Sequence, residues 1–249
     1  MSDPTPPEKL AGMLQQASCC VALTGAGIST AAGIPDFRGP DGLYRSAKYD
    51  PETVFDIRQF HYDPSQFWDF TRELAAVLGD LQPTRTHRVL AGMESAGLID
   101  AVITQNIDPF HALAGSENVL AVHGDYATTR CLRCSRCYDY QQMLDRLGQI
   151  GNPPPLCDCK GPLKPDVVFF GEAVKHLDEA FDWAARSDLM LVLGSSLSVQ
   201  PAAMLPQLAG GNVVVINQGP CQLPCGPNRH FIQADLDEYF DQLARALGH

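Results

Sequence analysis

The chain has 249 residues, of which 45% are hydrophobic, so it can bury a substantial core and its composition excludes a disordered or fibrous protein. Eighteen lysines and arginines stand against 29 aspartates and glutamates, which gives a formal net charge of −11. This charge disfavours a surface that follows nucleic-acid phosphates and favours a basic peptide or protein partner.

Neither an export signal nor a membrane span is predicted. The first ten residues, MSDPTPPEKL, lack a basic start followed by an apolar stretch and a cleavage site, and no apolar run approaches the length of a membrane-spanning helix. We therefore expect a cytoplasmic protein. Nine cysteines are many for a reducing compartment unless some of them bind metal.

Short apolar segments alternate with helix-length segments along the chain. After a surface helix within residues 3–17, the apolar segments are 19–25, 98–105, 118–124, 165–171, 188–194 and 212–218. The segments with helical length between them include 84–97, 175–186 and 199–209. Apolar runs of this kind are typical of buried parallel strands. The alternation predicts an α/β fold with a doubly wound, Rossmann-like parallel sheet.

Two segments interrupt this alternation and are interpreted as insertions that form a smaller lobe. Residues 38–77 are rich in aromatics and have a helical pattern, which predicts a helical module. Residues 126–165 contain five of the nine cysteines and predict a zinc-binding module. The Rossmann-like domain would then consist of residues 1–37, 78–125 and 166–249.

A glycine-rich loop, TGAGIST at residues 24–30, follows the first predicted strand and precedes a predicted helix. Its backbone amides can cradle a pyrophosphate at the helix N-terminus. The third glycine of the dinucleotide-binding pattern is missing, and no acidic residue is evident on a second strand about 20 positions later. By itself the loop therefore fits either a phosphate-binding loop or a simple tight turn.

Polar residues also follow the other predicted strands. Because ligands of open α/β sheets bind beyond the carboxyl ends of the strands, we expect these residues to face one crevice. They are Gly25–Ser29, Gln105–Asp108, His123, Gly194–Ser196 and Asn217.

Four cysteines have the number and spacing of a closed zinc site. Cys131-x-x-Cys134 and Cys157-x-Cys159 are separated by 22 residues and supply the four thiolates of a tetrahedral site. A filled site of this kind has no position for a catalytic water, which predicts a structural role for the metal. Cys137 offers a fifth thiol, so the choice of ligands stays open at this point.

Five blocks of sequence resemble the signature of the sirtuin family, in order and across nearly the whole chain. They are GAGISTAAGIPDFRG (25–39), TQNID (104–108), HG (123–124), KPDVVFFGE (164–172) and GSSL (194–197). The resemblance implies NAD-dependent removal of acetyl groups from the lysines of protein or peptide partners. The implied products are deacetylated lysine, nicotinamide and O-acetyl-ADP-ribose, and the implied cofactors are NAD and one structural zinc ion.

The resemblance also implies which residues bind NAD. Those expected at the phosphates and the nicotinamide ribose are Gly25, Ala26, Gly27, Ser29, Thr30, Asp36, Phe37 and Arg38. Those expected at the nicotinamide end are Gln105, Asn106, Ile107 and Asp108, and those expected at the adenosine half are Gly194, Ser195, Ser196 and Asn217. Without the resemblance, Phe37 and Ile107 fit core positions equally well.

His123 is the expected catalytic base, with Asn106 as a second catalytic residue. His123 ends an apolar strand and precedes Gly124, which predicts a ring that projects into the crevice with room for a substrate backbone. A neutral imidazole with an ordinary pKa of about 6.5 is suited to accept a proton from a hydroxyl. In the family mechanism, the base deprotonates the ribose 3′-hydroxyl after the acetyl-lysine oxygen has displaced nicotinamide.

Two segments, 169–172 and 196–203, resemble those between which sirtuins hold an extended acyl-lysine peptide as an added strand. The candidate substrate residues are Val167, Phe169, Phe170, Gly171, Glu172, Ser198 and Val199. Val167 and Phe169 are candidates for the wall of the acyl-lysine tunnel, although strand residues of this kind are core in most proteins.

Departures from the family pattern concern zinc and the acyl group. The second cysteine pair has one intervening residue where the family more often has two, and Tyr138 stands where an aromatic follows the first pair, which favours Cys131 and Cys134 over Cys137. Family members that remove succinyl groups carry a tyrosine and an arginine where this chain has Thr71 and Leu74, so we expect a preference for acetyl. The neighbouring Arg72 would weaken this expectation if it faced the acyl site.

Three other functions remain open from the sequence. An ADP-ribosyltransferase would use the same NAD site, and a non-catalytic sensing module would need neither His123 nor Asn106. A dehydrogenase is disfavoured because the glycine pattern does not match. Nicotinamide release that depends on an acetylated peptide would separate a deacetylase from the first two.

Overall fold

The structure is a computed structural model that describes residues 5–34, 49–78, 81–149, 151–222 and 226–248. The strands, in chain order, are β1 (Cys20–Thr24), β2 (Ala101–Thr104), β3 (Val119–Ala121), β4 (Gly124–Cys131), β5 (Cys137–Asp139), β6 (Leu163–Val167), β7 (Leu189–Leu193), β8 (Asn212–Ile216) and β9 (Arg229–Ile232). The α-helices are α1 (Pro7–Gln16), α2 (Pro51–Val54), α3 (Ile57–Tyr62), α4 (Ser65–Leu78), α5 (Arg85–Ser95), α6 (Phe110–Ala114), α7 (Tyr140–Leu147), α8 (Leu177–Arg186), α9 (Leu205–Leu208) and α10 (Leu236–Leu247). None of the helices in these ranges is long and apolar enough to cross a membrane.

The main sheet has six parallel strands in the order β3-β2-β1-β7-β8-β9. Every residue of β1 and β7 is buried, as expected for central strands covered on both faces. From β1 the chain builds outward through β2 and β3, and it later builds in the opposite direction through β7, β8 and β9. This reversal opens a crevice between the ends of β1 and β7, and it confirms the predicted doubly wound α/β fold.

Helices cover both faces of the main sheet because each presents one apolar face. On α10, Leu236, Tyr239, Phe240 and Leu243 recur at helical spacing and are buried, and the side chain of Asp235 caps the helix by accepting a hydrogen bond from the Glu238 amide. Helices α1, α5 and α10 pack in one core cluster, and α8 and α9 pack in the cluster on the opposite face.

A smaller lobe contains a three-stranded antiparallel sheet in the order β5-β4-β6, together with α2, α3, α4 and α7. Its core is aromatic and includes Phe55, Phe60, Phe67, Trp68 and Phe169. The rings of Phe60 and Phe169 meet edge to face with centroids 5.1 Å apart, an arrangement that favours tight packing. The predicted boundaries between the two domains remain a prediction.

Two expectations about the elements are wrong. The apolar run at 165–171 was predicted as a strand of the main sheet, but β6 pairs with β4 in the small sheet, because an apolar run does not specify its partner strand. The glycine loop does not lead into an α-helix within the described residues and instead forms 3-10 turns at Ala26–Ile28 and Thr30–Ala32. Tertiary hydrogen bonds replace helical ones there: Gly27 N–H donates to the Gly194 carbonyl, and the Thr84 hydroxyl donates to the Ile28 carbonyl.

Candidate active site

A cavity of about 1150 Å³ lies in the crevice beyond the carboxyl ends of β1, β2 and β7. The predicted site residues that line it are Gly25, Ala26, Gly27, Thr30, Gln105, Asn106, Ile107, His123, Val167, Phe169, Phe170, Gly171, Glu172, Gly194, Ser195, Ser196, Ser198, Val199 and Asn217. The structure therefore brings together residues from five of the strand ends singled out in the sequence. Asp36, Phe37 and Arg38 lie outside the described residues.

The loops after β1 and β7 touch through glycine backbones. Gly194 has φ +62°, and a Cβ built on it would lie 2.4 Å from the Ile28 amide nitrogen. A Cβ on Gly27 would lie 2.7 Å from the Gly194 Cα. The two glycines are therefore required for the close approach of these loops, and both line the cavity.

Asn106, which lines the cavity, forms a hydrogen-bonded group with Ser29 and Asp108. The Ser29 hydroxyl, only 1% exposed, donates to the Asp108 carboxylate at 2.9 Å and accepts from the Asn106 amide at 3.1 Å. Burial raises the pKa of Asp108, while the hydrogen bonds from Phe110 N–H and Ser29 oppose that rise. Neither Ser29 nor Asp108 is among the described residues that line the cavity, so their contact with NAD remains a prediction.

His123 lies just after β3, and a hydrogen bond to the loop after β2 holds its ring. Its Nδ1 lies 2.9 Å from the carbonyl oxygen of Gln105, an arrangement in which Nδ1–H donates and Nε2 is the basic nitrogen. Burial lowers the pKa of His123 below its ordinary value of 6.5, and the hydrogen bond to Gln105 raises it in part. A half-buried, neutral imidazole with an available nitrogen can accept a proton.

Gly124, which follows His123, lies in close contact with the backbone of β6. Gly124 has φ +71°, and a Cβ on it would lie 1.9 Å from the Asp166 carbonyl oxygen. The position that a side chain on Gly124 would occupy is thus taken by the backbone of β6. A side chain at this position would push β6 away from His123.

The loops after β2 and β7 are joined by side-chain hydrogen bonds. The Gln105 amide donates to the Ser195 hydroxyl oxygen at 3.1 Å, and the Leu197 N–H donates to the same oxygen at 3.2 Å. The Ser196 and Ser198 hydroxyls lie 2.9 Å apart. These contacts orient the polar wall that faces the predicted adenosine half and the predicted peptide segment.

Phe169 and Phe170, adjacent in sequence, have opposite surroundings. Phe169 is 1% exposed and its ring lies among Phe55, Phe60 and Phe67. Phe170 is 47% exposed, and its backbone pairs with the small lobe through hydrogen bonds from Phe170 N–H to Phe55 O and from Ile57 N–H to Phe170 O. The segment therefore has a firm attachment on one side and contributes to the cavity on the other.

Four cysteine thiols form a cluster in the small lobe. The Sγ atoms of Cys131, Cys134, Cys157 and Cys159 all lie within 4.8 Å of one another. The 3.6 Å separations of Cys131 from Cys159 and of Cys134 from Cys157 match a tetrahedral zinc site, where Zn–S bonds of about 2.3 Å place sulfur atoms roughly 3.8 Å apart. The donor set and geometry therefore fit zinc.

Two further observations clarify the ligand choice. Cys137 is outside the cluster, and its thiol contacts the Ser135 carbonyl oxygen at 3.7 Å. The hydroxyl of Tyr138, a buried residue, donates to Cys157 Sγ at 3.0 Å and lowers the pKa of that thiol, which favours the thiolate form that metals bind. Tyr138, the aromatic residue after the first cysteine pair, thus stabilises the thiolate of Cys157.

Sequence reasoning missed a buried polar group beneath the glycine loop. The Thr84 hydroxyl, which donates to the Ile28 carbonyl at 3.0 Å, lies 2.7 Å from His87 Nδ1. The His87 ring is 4.7 Å from that of His111, whose Nε2 lies 2.9 Å from the Thr24 hydroxyl. The Thr-x-x-His spacing at the start of α5 forms a capping box and was the available signal.

Comparison with known proteins places the site in a family. A family model described as the Sir2 family matches residues 25–201, and the chain belongs to that family. The NAD-dependent protein deacetylase of Saccharolobus solfataricus is 46% identical over 213 residues, covering 84% of this chain and 85% of the relative. That of Caldivirga maquilingensis is 45% identical over 236 residues, covering 94% of this chain and 86% of the relative. A solved structure of Sir2 with a p53 peptide and NAD⁺ superposes with a TM-score of 0.86 at 38% identity, covering 96% of this chain and 98% of the other.

Proposed function

We propose that this protein removes acetyl groups from lysine side chains of proteins, with NAD as cosubstrate. Support comes from the deacetylase relatives at 46% and 45% identity and from the similar Sir2 structure that holds a p53 peptide and NAD⁺. The single observation that carries the proposal is the placement of His123 in a cavity that is lined by both the glycine loop and residues 169–172, the FFGE segment. The Nδ1 of His123 is bonded to Gln105, which leaves Nε2 as the basic nitrogen. The products would be deacetylated lysine, nicotinamide and O-acetyl-ADP-ribose, so that the acetyl group is transferred to ADP-ribose.

Residues of the main sheet would hold NAD along the crevice. Gly25, Ala26, Gly27 and Thr30 are proposed at the phosphates, and the cavity at Gly27 and Gly194 is shaped by backbone because a Cβ there would collide. Gln105, Asn106 and Ile107 are proposed at the nicotinamide end, and Ser195, Ser196 and Asn217 at the adenosine half. When bound, NAD would supply a ribose carbon that becomes reactive toward the acetyl oxygen as nicotinamide departs.

His123 would act on a ribose hydroxyl. Its Nδ1–H donates to the Gln105 carbonyl, which fixes the ring and leaves Nε2 to accept the hydroxyl proton. Because burial lowers its pKa, the imidazole is neutral at physiological pH and ready to accept that proton. Asn106, whose side-chain amide donates to the Ser29 hydroxyl, would orient the reacting groups.

The FFGE segment and residues 196–203 would hold the acyl-lysine peptide as an added strand, with Val167 and Phe169 at the acyl chain and Phe170, Gly171, Glu172, Ser198 and Val199 along the peptide. The zinc ion would be structural, since its four thiolates leave no open coordination position. We also propose a cytoplasmic location, because a cluster of free thiols positioned for a metal ion is typical of a reducing compartment.

The proposal is tested by mass spectrometry of an acetyl-lysine peptide incubated with the protein, with and without NAD. We expect a loss of the acetyl mass only with NAD, in step with nicotinamide release and with formation of O-acetyl-ADP-ribose. The matched control is the same peptide with unmodified lysine. Nicotinamide release or ADP-ribosylation that does not require the acetyl group would contradict the proposal and favour an ADP-ribosyltransferase.

A further inference from the structure

Lys164, on β6, is a buried cation that neither the NAD site nor the zinc site explains. Its side chain is only 9% exposed, although lysine is rarely buried unless it is paired. Burial lowers the pKa of Lys164, while the carboxylate of Glu172 opposes that change. A charged group kept in such a position needs specific partners.

Three of the partners of Lys164 are residues proposed to contact the acyl-lysine peptide, namely Val167, Phe169 and Glu172. Its Nζ lies 2.8 Å from the Val167 carbonyl oxygen and 2.8 Å from Glu172 Oε2. It also lies 4.1 Å from the centroid of the Phe169 ring, within the range of a cation–π interaction. A further, longer contact of 3.4 Å reaches the Pro165 carbonyl oxygen.

Glu172 connects Lys164 to the backbone of Phe169. The same Oε2 that meets Lys164 accepts the Phe169 N–H at 2.8 Å, and the Glu172 N–H donates to the Phe169 carbonyl at 2.9 Å. The side chain and the backbone of Glu172 thus close residues 169–172 into a turn. The turn presents Gly171 and Phe170 to the cavity while Phe169 stays in the aromatic core.

We propose that Lys164 is a positioning residue for the acyl-lysine peptide, which holds Glu172 and the turn at 169–172 in the conformation that binds the peptide backbone. This inference rests on the proposed function. Removal of the cation would leave the Val167 carbonyl and the Glu172 carboxylate without their main partner in a half-buried position. Glu172 would then turn toward solvent and release the Phe169 amide, so the turn would lose its shape.

The test measures binding of a fluorescein-labelled peptide with one acetyl-lysine by fluorescence anisotropy, without NAD. Lys164→Met should raise the peptide Kd about tenfold or more, as expected when a buried charged hydrogen bond is lost. Lys164→Arg, which keeps the cation, should restore most of the affinity. Lys175→Met is the matched control, because Lys175 forms an ion pair with Asp166 on the surface and does not contact the turn.

A second variant keeps the test decisive if Lys164→Met folds poorly. Glu172→Gln retains the size of the side chain and should raise the peptide Kd by a similar factor. The double variant should have a peptide Kd no higher than that of either single variant, because both substitutions remove one shared contact. In steady-state assays, Lys164→Met should raise the KM for the peptide and leave the KM for NAD within about threefold.

Two results would overturn the inference. One is an unchanged peptide Kd in folded Lys164→Met and Glu172→Gln proteins. The other is an equal loss of peptide and NAD binding together with a fall in thermal stability that Lys164→Arg does not repair, because that pattern describes a structural residue. A wild-type protein that binds the peptide but does not deacetylate it would contradict the proposed function, while the comparison of Kd values would still decide the role of Lys164.

Discussion

The protonation of His123 controls the proposed chemistry at the scale of single residues. The Gln105 carbonyl accepts a hydrogen bond from Nδ1–H, so the proton of the neutral ring is on Nδ1 and Nε2 is left unprotonated. The remaining nitrogen is basic only while the ring is neutral. A change of the side chain and a change of pH therefore test the same role in two independent ways.

The first prediction concerns removal of the imidazole. His123→Ala should lower the rate of deacetylation about 100-fold or more, because a positioned general base contributes on this order, and NAD affinity should change by no more than a few fold. Rates with a saturating acetyl-lysine peptide and NAD binding by calorimetry provide the measurements. His176→Ala, at an exposed histidine that does not line the cavity, is the control. Turnover above about a tenth of the wild-type rate would exclude the role of base.

The second prediction concerns pH. Burial lowers the pKa of His123 below 6.5, so the neutral form persists into mildly acidic solution. The value of kcat/KM for the peptide at saturating NAD should be constant near neutral pH and should fall as pH decreases through that lowered pKa. A pH profile of kcat/KM measures the midpoint. A midpoint at or above 6.5 for the acid limb would contradict the role of burial.

At the scale of elements, α4 carries the residues that bear on acyl choice. The Arg72 side chain is 3% exposed, and its guanidinium donates to the Leu147 carbonyl at 2.8 Å, the Pro153 carbonyl at 3.0 Å and the Asp69 carboxylate at 2.7 Å. It thus ties α4 to the segment after α7. The Thr71 hydroxyl donates to the Phe67 carbonyl, and no lysine or arginine is present among the described residues that line the cavity.

The third prediction follows from these contacts. Acetyl-lysine should be preferred to succinyl-lysine by about 100-fold in kcat/KM, because the distal carboxylate would be desolvated without a cationic partner at a cost of several kcal/mol. Matched peptides that carry acetyl, succinyl and longer apolar acyl groups give the comparison. Equal or better turnover of succinyl-lysine would show that the assignment of Thr71 and Leu74 is wrong.

The zinc module is the second element with a testable role. The strands β4 and β5 and the loop from 151 to 162 bring the four thiols together, and Cys131 and Cys157 are part of the buried core of the small lobe. Because metal ligands close this loop, the free energy of zinc binding adds directly to the stability of the module.

The fourth prediction concerns ligand identity. The wild-type protein should contain about one zinc ion per chain, and Cys159→Ser should release it and lower the stability of the small lobe. Cys137→Ser is the matched control and should retain both zinc and stability, because its thiol lies outside the cluster. Metal analysis and thermal unfolding provide the measurements. A wild-type protein without zinc, or full stability of Cys159→Ser, would refute the structural site.

At the scale of the whole molecule, two buried histidines link folding to pH. Burial lowers the pKa of His87 to about 2 and that of His111 to about 4. Below the ordinary value of 6.5, the unfolded chain therefore binds protons at these positions that the folded chain does not. The free energy of unfolding falls as pH decreases below 6.5, and the loss from each histidine continues down to its folded pKa.

The fifth prediction isolates this effect. Between pH 7.5 and 5.5, each histidine should cost the wild-type protein about 1.4 kcal/mol of unfolding free energy, and His87→Asn should reduce the total loss by about that amount. Urea unfolding at the two pH values gives the difference, which is independent of any constant destabilisation by the substitution. His176→Asn, at an exposed histidine, is the control. An equal loss in wild type and His87→Asn would contradict the prediction.

The sequence alone determined the family, the sheet and most of the strand ends that surround the cavity. Apolar runs such as those of β1 and β7 identify buried parallel strands because burial on both faces requires uninterrupted apolar side chains. The cysteine spacing identified a metal site because its donor number matches a closed tetrahedron. These features are local, and each can be recognised within a short stretch of chain.

Only the tertiary structure decided which side chains face one another. Ser29 meets Asp108 across 79 positions, and Arg72 meets the carbonyl of Pro153 across 81. The tertiary structure also assigned β6 to the small sheet, kept Cys137 out of the thiol cluster and placed Lys164 beside Glu172. Contacts between residues so far apart depend on how the elements pack, because neither periodicity nor spacing within an element specifies the distant surface against which it is buried.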